Sequence, residues 1–160
     1  MVTLRALPGL AALAIAWAAH GAQPGALLDQ YAEQARAADP SFERFSAERG
    51  AAFYVRRHQV EEMGSVSCAS CHQSDPRKTS QAHHDQIPCR ACHVVFTRQP
   101  EGHRPTRREL PPLAPSANPE RFTNEWRTEY WFGYNCKLLL GRECTAQEKG
   151  DLITWLLTIK

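Results

Sequence analysis

Two short strings, Cys68-Ala69-Ser70-Cys71-His72 and Cys89-Arg90-Ala91-Cys92-His93, limit what this chain can fold into more than any other feature. Each fits Cys-x-x-Cys-His, the pattern for covalent attachment of a c-type haem. Two thiols three positions apart can each add to one vinyl group of the same porphyrin, and the histidine that follows then binds the iron from one side. The pattern predicts Cys68, Cys71, Cys89 and Cys92 as cofactor anchors, His72 and His93 as iron ligands, and two covalently attached haem c groups. A fold carrying them has to be built around large apolar rings.

The same four cysteines also read Cys-x2-Cys-x17-Cys-x2-Cys, inside the spacing window of a four-cysteine zinc site. Spacing alone does not separate the two readings. The histidines do, because with 7 in 160 residues one falling after both pairs by chance has a probability of about 0.002.

The N-terminus points to export. Arg5 supplies a positive n-region, residues 10–19 are apolar but short for a bilayer span, and small residues at Ala19 and Gly21 suit cleavage after Gly21, with cuts after Ala18 or Ala22 as alternatives. We therefore expect a signal peptide over residues 1–21 and one cytochrome domain over 22–160. A retained membrane anchor is the rival reading. In the periplasm thiols oxidise, so the remaining Cys136 and Cys144, eight positions apart, form the natural disulfide pair, against the alternative of two buried free thiols. Downstream of residue 21 the chain has 18 basic and 17 acidic residues, a balance that gives no reason to expect nucleic acid. No second apolar run reaches transmembrane length, so no stable membrane insertion is expected once the signal is removed.

The pattern of apolar residues predicts helices at both ends. Leu27, Leu28, Tyr31, Ala35 and Ala38 keep helical spacing. Asp39-Pro40 reads as the cap and first residue of a second helix with Phe42, Phe45, Ala52 and Phe53 as its buried stripe. At the C-terminus Thr145 and Glu148 form a capping box ahead of a helix with Leu152, Trp155, Leu156 and Ile159 on one face. Residues 65–119 hold 8 of the 11 prolines and both motifs, which predicts chain wrapped around cofactor rather than long helices. A further helix over about 123–140 presents Trp126, Tyr130, Trp131 and Tyr134 as a broad aromatic surface. Near its end, Asn135 taken alone reads as a left-handed helix cap.

The run of residues 112–123, Pro-Leu-Ala-Pro-Ser-Ala-Asn-Pro-Glu-Arg-Phe-Thr, followed by Trp131, Asn135-Cys136, Gly141-Arg142-Glu143-Cys144-Thr145 and Glu148-Lys149-Gly150-Asp151, resembles the sphaeroides haem protein family of c-type cytochromes. Ala47-Glu48-Arg49-Gly50 and the Ser67 to His72 string share the resemblance, which spans most of the chain beyond the signal except about residues 77–101. It implies a small all-α cytochrome c fold, with His72 as proximal ligand, Asn135 as distal ligand and a Cys136–Cys144 disulfide. The residues are consistent with this, because Met63 and Met1 are the only methionines and none follows the motifs where a small cytochrome c usually keeps its sixth ligand. An amide oxygen is a weak neutral donor, so such an iron is high-spin or near it and open to a small diatomic ligand after reduction.

The chain departs from the family in two places. Tyr134 stands where the family has a basic residue before the ligand asparagine, which changes the polarity expected around a bound ligand. The haem-binding loop insert over about 77–101 adds the second motif with His83 and His84, either of which is the favoured distal partner for the haem on His93; His58 and His103 are alternatives. Of Arg98, Arg104, Arg107 and Arg108, one is expected to pair with a haem propionate.

The sequence thus predicts an exported di-haem cytochrome that passes electrons to or from a redox partner cytochrome and binds oxygen, nitric oxide or a similar gas at a His72/Asn135 haem. It reads as a ligand-binding electron-transfer protein more than a turnover enzyme. The rivals are a pure electron carrier with both haems stably six-coordinate, and a zinc-stabilised interaction module. A di-haem peroxidase is disfavoured because the chain is short for two cytochrome domains.

Overall fold

The computed structural model describes residues 24–61, 63–81 and 109–160. In chain order these form α1 (Pro24–Ala38), α2 (Ala47–Val55), β1 (His58–Val60), β2 (Gly64–Val66), the short α3 (Cys68–His72), β3 (Ser80–Gln81), β4 (Glu109–Leu110), α4 (Glu125–Leu140) and α5 (Ala146–Thr158). The fold is the small all-α one the sequence predicts. Two short antiparallel pairs interrupt it: β1 with β2, register His58 opposite Val66, and β3 with β4.

The C-terminal helix α5 organises the rest. Its capping box forms as read, with the Glu148 amide donating to Thr145 Oγ1 at 3.1 Å and the Thr145 amide donating to Glu148 Oε2 at 2.8 Å. It buries two faces rather than the one expected. Leu152 and Leu156 pack with Phe53 and Tyr54 of α2, while Ile153, fully buried, packs with Leu27 and Tyr31 of α1. Helix α2 crosses α5 at backbone contact, since a Cβ built on Gly50 would stand 2.1 Å from the Asp151 carbonyl oxygen.

The second helix begins later than the sequence suggests. Asp39 closes a local turn, accepting from the Ser41 amide at 2.9 Å and the Ser41 hydroxyl at 2.7 Å, and α2 starts only at Ala47 with Ser46 as its cap. The decisive partner is distant in sequence. Buried Asp151 accepts from the Ser46 amide at 2.7 Å and from Arg49 at 2.7 and 2.9 Å, anchoring the start of α2 to α5. Phe42 and Phe45 therefore lie ahead of α2, with Phe45 packed over Gly150.

On the other side of α5, Lys149 pairs with Glu129 of α4 at 2.7 Å and lies 5.4 Å from the Tyr31 ring centroid, and the Tyr31 hydroxyl donates to the other Glu129 oxygen. This small network joins α1, α4 and α5. Four aromatic residues of α4 form a continuous ladder, while Phe132 packs into the core. Trp126 stacks on Tyr130 at 5.7 Å, Tyr130 meets Trp131 edge-on at 5.2 Å, and Trp131 meets Tyr134 at 6.0 Å. Trp126 is 75% exposed. No helix among the described residues is long and apolar enough to cross a membrane.

Candidate haem site

The first Cys-x-x-Cys-His string is a single helical turn, α3, entered from the β1–β2 hairpin. Its start is fixed by the Ser67 amide donating to Ser70 Oγ at 3.0 Å. Its end is fixed by Gln73, whose backbone takes φ 70°, a left-handed conformation that a non-glycine residue adopts only under constraint. The Tyr54 hydroxyl holds it there, donating to the Gln73 carbonyl at 2.6 Å; Tyr54 is fully buried in α2, its ring centroid 4.8 Å from that of Trp155. The residue after His72 is thus tied to the helix core. Nothing in the sequence marks Tyr54 for this task, because its partner is a backbone carbonyl.

One helical turn places the two thiols and the imidazole together, since positions i, i+3 and i+4 lie on one face. Burial pushes the Cys68 thiol up to about 11. Burial, with the positive charge of Arg121 adding to it, holds His72 down at about 4. At neutral pH this imidazole is a neutral lone-pair donor, as an iron ligand must be. The donor set therefore fits a covalently attached haem: two cysteines one turn apart for thioether bonds and one imidazole nitrogen for the metal.

The apolar surroundings of the motif come from both sides. Cys68 and Ala69 pack with Phe53, Tyr54, Leu152, Leu156 and the disulfide cysteines, whereas Cys71 packs with Met63, Val66, Leu138 and Leu139. Those last two residues locate Asn135. It stands three and four positions before them on α4, so it shares their face, the face that meets the cluster around Cys71. Asn135 is half-buried and inside the helix. The left-handed cap that Asn135 taken alone suggests is formed by Gly141 instead, with φ 68° and its amide donating to the Lys137 carbonyl.

Cys136 and Cys144 are both buried and joined by a disulfide, with Cα atoms 5.5 Å apart. The bridge binds α4 immediately after Asn135 to the residue just before the α5 cap. Arg142 reinforces this corner through two contacts with Glu148, at 2.7 and 2.8 Å.

A strap over residues 111–121 closes the other side. The Leu113 and Ala114 amides donate to the Pro76 carbonyl at 2.8 and 3.0 Å, and Arg121 reaches back to the Pro112 and Pro111 carbonyls at 2.8 and 2.9 Å. Arg121, close enough to His72 to depress its proton affinity, was missed by sequence reasoning, which looked to Arg98, Arg104, Arg107 and Arg108. Those four residues, together with the signal over 1–21 and the second motif with His83, His84, Cys89, Cys92, His93 and His103, lie outside the described residues. His58 lies on β1 along an open groove of about 460 Å³ lined also by Val60, Leu138, Leu139 and Arg142.

A domain family of unknown function, DUF1924, matches residues 40–86 and 77–156. The chain is 36% identical over 110 residues to the cytochrome c-type protein SHP of Cereibacter sphaeroides, covering 69% of this chain and 68% of that protein. It is 30% identical over 132 residues to cytochrome c'' of Methylophilus methylotrophus, covering 82% and 77% respectively. Among solved structures, oxidised cytochrome c'' from Methylophilus methylotrophus aligns with a TM-score of 0.65 at 29% identity over 86% of this chain and 94% of that one. Oxidised SHP, an oxygen-binding cytochrome c, aligns at 0.61 and 31% identity over 86% and 97%. The family match takes in the Cys68 to His72 turn, Asn135 and both disulfide cysteines. The chain belongs to the family of c-type cytochromes that contains SHP and cytochrome c'', proteins that carry covalently bound haem c.

Proposed function

We propose that the protein is an exported cytochrome, with a leader over residues 1–21 and a cytochrome domain over 22–160, that couples electron transfer to binding of a small gaseous ligand at the haem held by Cys68, Cys71 and His72. The observation that supports this reading is that Leu138 and Leu139, one turn after Asn135 on α4, pack in the cluster that holds Cys71, and that the adjacent Cys136 is bridged to Cys144. The haem would supply a one-electron redox centre able to take a small ligand. The residues decide how readily it does so. His72, desolvated by burial, would supply an imidazole nitrogen to the iron. Asn135 would offer only an amide oxygen, a weak donor that oxygen, nitric oxide or carbon monoxide could displace. That the relative SHP is an oxygen-binding cytochrome c supports the same use of this haem.

The second motif extends the reading to two haem c groups, the other held by Cys89, Cys92 and His93, with His83 or His84 as its distal ligand. His58, in its partly apolar groove on β1, is the alternative among the described residues. This second haem relays electrons between a partner cytochrome and the gas-binding site.

Visible spectroscopy of the mature holoprotein tests the proposal. We expect the oxidised protein to show a high-spin component and the reduced protein to bind carbon monoxide rapidly at half of its haem. A fully low-spin protein, unreactive toward carbon monoxide and nitric oxide after reduction, would establish a pure electron carrier instead.

A further inference from the structure

We propose that Arg121 is the counter-cation for a propionate of the haem held by Cys68, Cys71 and His72; the inference rests on the reading of that turn as a haem attachment site. Placement is the first ground. Arg121 Nε donates to the Pro112 carbonyl at 2.8 Å and Nη2 to the Pro111 carbonyl at 2.9 Å, so the guanidinium is held at a fixed point on the strap. The strap itself is pinned to Pro76, four residues past His72, and Leu113 packs in the same cluster as Cys68 and Ala69. The backbone thus delivers this charge to the neighbourhood of the motif.

Charge balance is the second ground. Among the described residues Arg121 forms no ion pair, and the charged group that acts on it is Arg127, of the same sign. Burial and that repulsion both hold the guanidinium below its ordinary range. A half-buried cation without an anion is costly, and the cost disappears when a carboxylate is brought to it. Two carbonyls occupy two of five N–H donors, which leaves donors for a carboxylate. A haem propionate is a carboxylate that must lie against the walls of this site.

Backbone geometry is the third. Phe122, the next residue, takes φ 63°, a conformation that a non-glycine residue adopts only when its surroundings hold it there. Its ring packs against both apolar clusters centred on α5. The turn therefore sends Phe122 into the core while Arg121 remains on the strap beside the motif.

The consequence is a tuning role as well as a binding one. A fixed positive charge near the iron favours the form with one positive charge fewer, the reduced one. The test compares holoprotein variants. Arg121→Gln should shift the midpoint potential to more negative values and move the propionate bending band in the resonance Raman spectrum, while Arg121→Lys, which keeps the charge, should stay near the wild-type potential. Equal negative shifts in both variants would show that Arg121 only latches the strap and would overturn the proposal, as would a wild-type potential and band in Arg121→Gln. Where a variant fails to mature, the wild type decides. In the reduced, carbon monoxide-saturated protein carrying 15N-arginine, Arg121 guanidinium protons should cross-relax with propionate methylene protons, and absence of that signal overturns the proposal. A haem stain separates the two levels: no covalent haem at Cys68 and Cys71 defeats the parent reading, whereas haem without the Arg121 contact defeats this one alone.

Discussion

At the scale of single residues, buried Asp151 shows how a side chain with no role in chemistry can fix a functional fold. It caps α2 through the Ser46 amide and pairs with Arg49, whose side chain is 49% exposed while that of Asp151 is 6%. Asp151→Ala removes the acceptor and leaves the Ser46 amide and Arg49 without it. Allowing for the water-accessible arginine, we expect a loss of about 2 kcal/mol in urea unfolding, with an unchanged haem spectrum in the folded state. Glu148 gives a pH-dependent counterpart. The hydrogen bonds from Arg142 hold its carboxyl below the ordinary glutamate value of 4.5, so the folded state favours the charged form. Its contribution is complete above pH 4.5 and is lost as pH falls through the lowered value. Arg142 is half exposed, so Glu148→Gln should cost only roughly 0.5 kcal/mol at pH 7, and the gap between variant and wild type should close in acid. A gap that persists at pH 3 would assign the effect to the capping geometry instead.

At the scale of elements, what could be read in the sequence depended on how local the deciding interaction was. Thr145 and Glu148 sit three residues apart and satisfy each other's backbone, so the start of α5 was legible. The start of α2 was not, because Asp39-Pro40 offered an equally good local signal and the winner, Ser46, gains its advantage from Asp151, 105 residues away. Ile153 went unread for a related reason: α5 is sandwiched between α1 and α2, and one-face periodicity cannot reveal a second buried face. The motif turn was legible outright, since its spacing is its chemistry, whereas Tyr54 and Arg121 act on carbonyl groups that leave no mark in sequence. The α2–α5 crossing yields a direct test. Gly50→Ala would push a Cβ against the Asp151 backbone, where relief requires the helices to separate, so we expect destabilisation of about 3 kcal/mol or more. Gly25→Ala, with nothing within 4 Å, should be near neutral by the same thermal melt. The disulfide belongs to this scale too. Lying directly after Asn135, it should position that side chain as well as restrict the chain, so Cys136→Ser/Cys144→Ser should change the ligand affinity of the haem. Unchanged absorption and affinity would reduce the bridge to a staple.

At the scale of the whole molecule, the described residues already form a family cytochrome core that includes one Cys-x-x-Cys-His turn, and the second motif falls in the segment between β3 and β4. We expect the mature protein to gain the mass of two haems when produced with an export and maturation system, and Cys89→Ala/Cys92→Ala to retain one, on His72. Loss of both in that variant would show that the segment and the core mature as one unit. The single-haem variant also gives the most direct test of the central claim, that Asn135 makes the His72 haem a displaceable, gas-binding site. In that background, carbon monoxide binding to the reduced protein is followed for Asn135, Asn135→Ala and Asn135→His. The account predicts that Asn135→Ala binds at least as fast as the unsubstituted form and that Asn135→His turns low-spin and binds far more slowly. Equal rates and unchanged spectra in all three would contradict it.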